Sequence, residues 1–100
     1  MEFSVNNTQG VVNVTLAGQL TYVDAPQFDS ILSHLDSSGV SGAQFDVGNL
    51  DFIDSTGMSL FVHAYDASKA HGFTVTISGA KDKVRAALTK AGFDNLVTVS

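Results

Sequence analysis

The stretch AQFDVGNLDFIDSTG, residues 43–57, contains the change from strand to helix on which the fold prediction depends. Residues 43–47 are short and rich in apolar side chains, which is typical of a buried strand, and residues 48–53 read as a strand end or loop. The polar residues that follow are good helix caps. A helix is predicted from about residue 56 to residue 71, where Gly72 is a natural C-terminal cap. The stretch therefore predicts a strand that leads directly into a helix.

The chain before this stretch begins with a predicted β-hairpin. Residues 3–7 and 11–16 read as strands, because apolar side chains alternate along the second of them. Residues 8–10 (Thr-Gln-Gly) read as the turn between them, since glycine supplies unusual backbone angles. Residues 17–20 are predicted to end the second strand.

A helix is predicted to follow the hairpin. Asp24 would open it by capping free backbone amides, with Gln27 as the reciprocal partner three residues later. Pro26 in the first turn costs no helical hydrogen bond. Ser37, Ser38 and Gly39 are predicted to stop the helix. Apolar residues recur along it at the spacing of one helical face: Phe28, Ile31, Leu32 and Leu35.

The chain after residue 72 continues the alternation of strands and helices. Residues 73–77 read as a strand, residues 81–91 as a helix capped by Gly92, and residues 96–99 as a last short strand. The predicted order is β-β-α-β-α-β-α-β, which implies parallel crossovers beside one antiparallel pair. We therefore expect the α/β class: a single domain over residues 1–100, with a mixed sheet of four to five strands and helices mainly on one face.

The composition excludes several classes of function. The 100 residues include no cysteine and carry a net charge of −5, which excludes disulfides, cysteine-bound zinc, iron–sulfur clusters and thiol catalysis. The negative charge argues against nucleic acid or an anionic membrane as the main partner. The first ten residues lack the features of a signal peptide, and no apolar run is long enough to cross a bilayer. We expect a cytoplasmic protein without direct membrane insertion.

Ser55 and Thr56 fall where a predicted strand ends and a helix begins, which is where open α/β sheets form sites. A helix N-terminus presents unpaired amides and a partial positive charge, so it tolerates a phosphate. A phosphoryl group on Ser55 would add a charge of about −1.5 to −2 beside Asp51 and Asp54. The alternative interpretation is structural, because Asp54, Ser55 and Thr56 are all good N-cap residues.

Residues 50–58, Leu-Asp-Phe-Ile-Asp-Ser-Thr-Gly-Met, resemble the signature loop of STAS domains, the family of bacterial anti-sigma factor antagonists. Those proteins carry Asp-Ser-Ser/Thr-Gly-Leu after an apolar strand and loop. Met58 stands where leucine is usual, and the C-terminal helix common in the family is short or missing here. Other segments agree with the family pattern in register, so that the likeness spans nearly the whole chain: residues 16–20, 45–47, 72–77 and 84–93.

The resemblance implies binding that is controlled by phosphorylation. In the family, the serine directly after the motif aspartate is phosphorylated by a partner kinase that is also the anti-sigma factor. Here that residue is Ser55, with Thr56 as the second choice, and Asp54 and Gly57 would shape the loop. The unphosphorylated form would bind the kinase and free the sigma factor. The phosphorylated form would release the kinase, and a phosphatase would reset the cycle.

The helix predicted after Ser55 is apolar on two faces, so it is either deeply buried or partly an interface. The face formed by Met58, Phe61, Val62 and Tyr65 is predicted to be core. For Leu60 and Ala64, on the other face, core and binding surface both stay open. The candidate partner-binding residues are Asp51, Asp54, Ser55, Thr56, Met58, Ser59, Leu60, His63 and Ala64.

Two other functions are compatible with the sequence. Some STAS subunits bind the ATPase of a lipid-transporting ABC complex, which keeps the fold and changes the partner. A small hydrolase using Ser55, His63 and Asp66 is a weaker alternative. The eight helical residues from Ser55 to His63 rise about 12 Å, which is too far for direct proton transfer. We therefore expect no catalytic residue and no enzymatic activity.

The remaining polar residues predict no metal or cofactor site. The histidines lack metal-site spacing, and three acidic residues of unknown geometry do not establish a magnesium site. The basic residues of the third helix are predicted to form its solvated face. These three sets are His34, His63 and His71; Asp46, Asp51 and Asp54; and Lys81, Lys83, Arg85 and Lys90.

Overall fold

The computed structural model describes residues 1–36 and 39–100. This part of the chain contains strands and helices in the predicted order β-β-α-β-α-β-α-β, and short 3-10 helices at Tyr22–Asp24 and Phe93–Asn95. The predicted stop of the first helix at Ser37 and Ser38 lies outside the described residues. The elements are β1 (Glu2–Thr8), β2 (Val11–Leu20), α1 (Ala25–Leu35), β3 (Gly42–Ile53), α2 (Ser55–His71), β4 (Thr74–Ser78), α3 (Asp82–Lys90) and β5 (Thr98–Val99).

The strands form one mixed sheet in the order β1-β2-β3-β4-β5. β1 and β2 are antiparallel, and the other neighbouring pairs are parallel. Gln9 and Gly10, with φ of 52° and 88°, form the two-residue turn between β1 and β2, because hairpin turns of this length favour positive φ. A Cβ at Gly10 would lie 2.7 Å from the carbonyl oxygen of Gly39. The predicted mixed sheet of four to five strands is confirmed.

The helices pack on one face of the sheet, as predicted. Alternate side chains of β2 and β3 are buried there, while Gln44 and Asp46 between them on β3 are exposed. The rings of Phe28 in α1 and Phe61 in α2 have centroids 5.8 Å apart, and Phe61 lies 5.4 Å from Phe45 in β3. This aromatic cluster holds α1 and α2 against β3 and so fixes where α2 begins.

β2 and β3 are longer than predicted. Residues 17–20 continue β2, and residues 48–53 belong to β3, where a strand end or loop is predicted. The register between the two strands shifts twice, and Asp51 is the extra residue at the second shift. A bulge of this kind breaks the alternation by which a strand is predicted, although the pairing resumes beyond it.

Asp24 precedes α1 as predicted, but the predicted capping pair with Gln27 is wrong. The Asp24 carboxylate makes no capping bond to α1. It accepts the Thr21 N–H at 2.8 Å and the amino group of Met1 at 3.0 Å. The 3-10 turn Tyr22–Asp24 turns the carboxylate back toward these donors, in a capping box between Thr21 and Asp24. The spacing of these two residues is the sequence signal for this turn.

Candidate functional site

Ser55 is the first residue of α2, and only Asp54 separates it from the end of β3. Its side chain is exposed. β3 is parallel to both of its neighbours, so Ser55 lies at the carboxyl edge of parallel strands, where α/β sheets place their sites. The prediction that Ser55 stands uncovered at the start of a helix is confirmed.

Asp54 is the N-cap of α2. One carboxylate oxygen accepts the Gly57 N–H at 2.7 Å, and the other accepts the Tyr22 N–H at 3.1 Å. The Asp54 N–H donates to the carbonyl of Leu20 at 3.1 Å. Asp54 therefore caps the helix and ties its first turn to the chain that follows β2, and the hydroxyl of Ser55 is not needed for capping.

Gly57 lies where α2 touches the end of β2. A Cβ at this position would be 2.5 Å from the carbonyl oxygen of Leu20 and 2.8 Å from Cγ1 of Ile53. A larger residue would push the first turn of α2 away from both strands. Glycine thus allows the close approach that places Asp54 within reach of the Tyr22 N–H.

The predicted partner-binding residues divide by exposure. Thr56 is half-buried, so its hydroxyl is less accessible than that of Ser55. The Ser59 hydroxyl donates to the carbonyl of Ser55 at 3.1 Å. The exposed members of the set are Asp51, Ser55, Ser59 and His63, and the half-buried members are Asp54, Thr56 and Met58.

Leu60 and Ala64 lie in the core, with exposed fractions of 5% and 0%. The option of a binding surface on these two residues is therefore wrong. The other face of α2 is predicted to be core, and this prediction is only partly confirmed, because Phe61 is buried but Val62 is exposed. The buried side of α2 combines Phe61 from one predicted face with Leu60 and Ala64 from the other, and it also includes Gly57, which contacts β2 closely.

Two exposed apolar residues beside the site were not predicted. Tyr22 and Val23 are 70% and 64% exposed and belong to the 3-10 turn whose Tyr22 N–H binds Asp54. Exposed apolar side chains next to an accessible serine favour an interaction surface. The only signal in the sequence is an apolar pair between a strand and a helix cap, which is too weak to predict exposure.

A cleft of about 420 Å³ opens between the start of α2 and the end of α3. Ile53 of β3, together with α2 and α3, lines it, and most of its lining is apolar. Lys90, the last residue of α3, supplies the one basic side chain in this lining. The lining residues are Ile53, Asp54, Ser55, Met58, Ala87, Lys90 and Ala91.

Ser55 does not pair with the histidine or the aspartate of the hydrolase alternative among the residues that the structure describes. The Ser55 hydroxyl makes no hydrogen bond to His63 or Asp66, and no group of three potential metal ligands occurs within residues 1–36 and 39–100. His71 contacts Asp36, and its Nε2 lies 2.5 Å from the Oδ1 of that residue. The basic residues of α3 are exposed, as predicted for a solvated face.

Asp24 supports the turn that carries Tyr22. Burial by itself would raise the pKa of Asp24, but hydrogen bonds from the backbone N–H of Thr21, the amino group of Met1 and the Thr21 hydroxyl, together with the positive charge of that amino group, hold the pKa below its usual value. The carboxylate is consequently ionised at neutral pH and keeps Thr21 and Met1 in place. This network adjoins the Tyr22–Asp54 contact at the site.

The sequence model of the STAS domain family matches residues 2–100. The chain therefore belongs to the STAS domain family. Across the described residues, no helix combines the length and the hydrophobicity that crossing a bilayer requires.

Similar proteins include anti-sigma factor antagonists. The anti-sigma-B factor antagonist of Staphylococcus aureus is 24% identical over 87 residues, which cover 87% of this chain and 81% of that protein. An anti-sigma factor antagonist from Mycobacterium paratuberculosis has a TM-score of 0.80 at 22% identity, over 98% of this chain and 83% of the other. The Bacillus cell fate determinant SpoIIAA in its phosphorylated form has a TM-score of 0.79 at 18% identity, over 99% of this chain and 91% of the other. These structural likenesses show the fold.

Proposed function

We propose that this protein is a regulator of the anti-sigma factor antagonist type, which acts in the cytoplasm by reversible binding and is switched by phosphorylation of Ser55. Its partner is an anti-sigma factor that is also a serine kinase, and a phosphatase restores the free hydroxyl. One observation carries the proposal: Asp54 caps α2, so the exposed hydroxyl of Ser55 is left available to a partner. The phosphorylated state of a structurally similar protein, SpoIIAA, supports the same interpretation.

The modification requires only that Ser55 enter the active site of the kinase. Its Oγ forms a bond to the γ-phosphorus of ATP, while the bond to the bridging oxygen breaks and ADP leaves with that electron pair. The hydroxyl proton passes to a base of the kinase. Ser55 is the preferred acceptor because it is exposed, whereas Thr56 is half-buried.

Phosphorylation changes the binding surface without requiring the domain to refold. The new group brings three oxygens and a charge of about −1.5 to −2 to a place beside Asp54. A partner that fits the small hydroxyl then meets a larger, charged group, and like-charge contacts across an interface oppose binding. Affinity for the kinase should consequently fall after the transfer.

The proposed partner surface surrounds the start of α2. It includes the accessible residues of the predicted partner-binding set. Leu60 and Ala64 are excluded because they lie in the core. Tyr22 and Val23 extend the surface, since apolar anchors of this kind commonly contribute most of the energy of an interface. The surface comprises Tyr22, Val23, Asp51, Asp54, Ser55, Thr56, Met58, Ser59 and His63.

The test combines the protein with ATP and a candidate kinase, a histidine-kinase-like ATPase from the same genome. Mass spectrometry should place one phosphate on Ser55. Ser55→Ala should abolish phosphorylation and keep kinase binding, Ser55→Asp should weaken binding, and Ser59→Ala, one turn further along α2, should still be phosphorylated on Ser55. Absence of phosphate from Ser55, or equal affinities before and after its addition, would refute the proposal. Binding to a transporter ATPase instead would support the alternative of an ABC-complex subunit.

A further inference from the structure

The lining of the cleft between α2 and α3 combines polar and charged residues with apolar ones. Ser55 and Asp54 stand on the α2 side, Lys90 stands on the α3 side, and the wall between them is largely apolar, with Met58 and Ala87 among its members. A partner side chain entering this cleft would bury apolar surface there. A charged group at the rim would control the entrance.

Lys90 has no anionic partner in the unmodified protein, within the described ranges 1–36 and 39–100. The ion pairs there join Met1 to Asp24 and His71 to Asp36. Asp54 lines the same cleft, but its two carboxylate oxygens already accept N–H groups from Gly57 and Tyr22. Lys90 is therefore exposed, and its ammonium group has no carboxylate partner within the described ranges.

A phosphate on Ser55 would add negative charge beside Asp54, and Lys90 is the basic side chain of the same cleft lining. The Gly57 N–H, one of the amides that a helix start offers to an anion, is already taken by Asp54. Lysine carries three donors on a flexible stem, so it can reach across a cleft to a phosphate.

We propose that Lys90 pairs with phosphorylated Ser55 and that this ion pair closes the mouth of the cleft between α2 and α3. The inference rests on the proposed function for the modification itself. It adds a mechanism of release: the apolar wall around Met58 and Ala87 becomes inaccessible to the partner when the pair forms. The fold stays otherwise unchanged, since Lys90 and Ser55 are both exposed.

The direct test does not need a kinase. Phosphoserine is incorporated at position 55 during synthesis, and the second ionisation of its phosphate is followed by ³¹P NMR against pH. Lys90→Gln should raise that pKa by about 0.5, the size expected from the loss of an exposed ion pair. Lys83→Gln is the matched control, because Lys83 is exposed on the same helix and does not line the cleft. An unchanged pKa in Lys90→Gln, or equal shifts in both variants, would overturn the pairing.

A second measurement separates this inference from the proposed function. The phosphorylated Lys90→Gln protein should bind the kinase about 3-fold more tightly than the phosphorylated parent, with unphosphorylated affinities equal. Equal affinities of the two phosphorylated proteins would show that closing the cleft does not cause release. Failure of the kinase to modify Ser55 would refute the proposed function alone, because the NMR titration uses protein phosphorylated during synthesis.

Discussion

At the scale of single residues, Asp54, Ser55 and Gly57 have different roles at the site. In the sequence, Asp54, Ser55 and Thr56 are equally suitable as helix caps, and in the structure Asp54 is the N-cap. Gly57 brings its N–H within 2.7 Å of the Asp54 carboxylate by packing closely on β2. Ser55 is thereby presented to solvent at the first position of α2.

Gly57→Ala should destabilise the protein by about 1 to 3 kcal/mol, the range for overpacking, even though alanine favours helix more than glycine does. Its methyl group would lie 2.5 Å from the backbone carbonyl of Leu20, which cannot rotate away as a side chain can. Chemical denaturation measures the loss. Gly42→Ala is the control, because its nearest neighbour would be 3.5 Å away. Equal stability of Gly57→Ala and the parent would show that the contact is not tight.

At the scale of elements, the sequence predicts α2 well in extent and less well in orientation. Its start differs by one residue and its end at His71 agrees, because polar caps and Gly72 mark both ends. The core-facing side could not be chosen, since apolar residues lie on two faces and the buried side takes Phe61 from one and Leu60 and Ala64 from the other. The prediction for β3 is too short because the first of its two register shifts, between Asp46 and Asn49, interrupts the alternation where the predicted strand ends. Periodicity indicates an element, but long-range packing decides which side is buried.

Leu60→Ala tests which face of α2 is the core. It should lower the free energy of unfolding by about 2 to 5 kcal/mol, because it leaves a cavity at a buried position. Ser59→Ala, on the exposed neighbour, should change stability by less than about 0.5 kcal/mol. Urea denaturation gives both values. Weaker binding of the kinase with stability unchanged would instead place Leu60 on the partner surface.

At the scale of the whole molecule, long-range contacts converge on the site from both ends of the chain. The amino group of Met1 reaches Asp24, the Tyr22 N–H reaches Asp54, and Lys90 of α3 lines the cleft beside Ser55. The exposed serine at a helix start could be predicted from neighbouring residues alone. The exposure of Tyr22 and the placement of Lys90 could not, because each depends on elements distant in sequence. Those contacts connect the site to segments that are distant in sequence.

Asp24→Asn tests this connection through its pH dependence. The pKa of Asp24 is lower in the folded protein, so its charge contributes stability above the unfolded pKa of about 3.9, and that contribution disappears as pH falls through the folded pKa. At pH 7 the variant should be less stable than the parent by about 1.5 to 3 kcal/mol, the range for hydrogen bonds to a charged group. The difference should hold from pH 7 to about pH 4 and shrink below it.

The measurement is the free energy of unfolding of both proteins between pH 3 and pH 7, with Asp29→Asn as the control on the exposed side of α1. The comparison between parent and variant cancels the contributions of the other ionisable groups, because both proteins contain them. Because Asp24 holds the turn that carries Tyr22, kinase affinity should fall together with stability in Asp24→Asn and stay unchanged in Asp29→Asn. A stability difference that persists unchanged at pH 3 would show that the Asp24 charge is not what holds the turn.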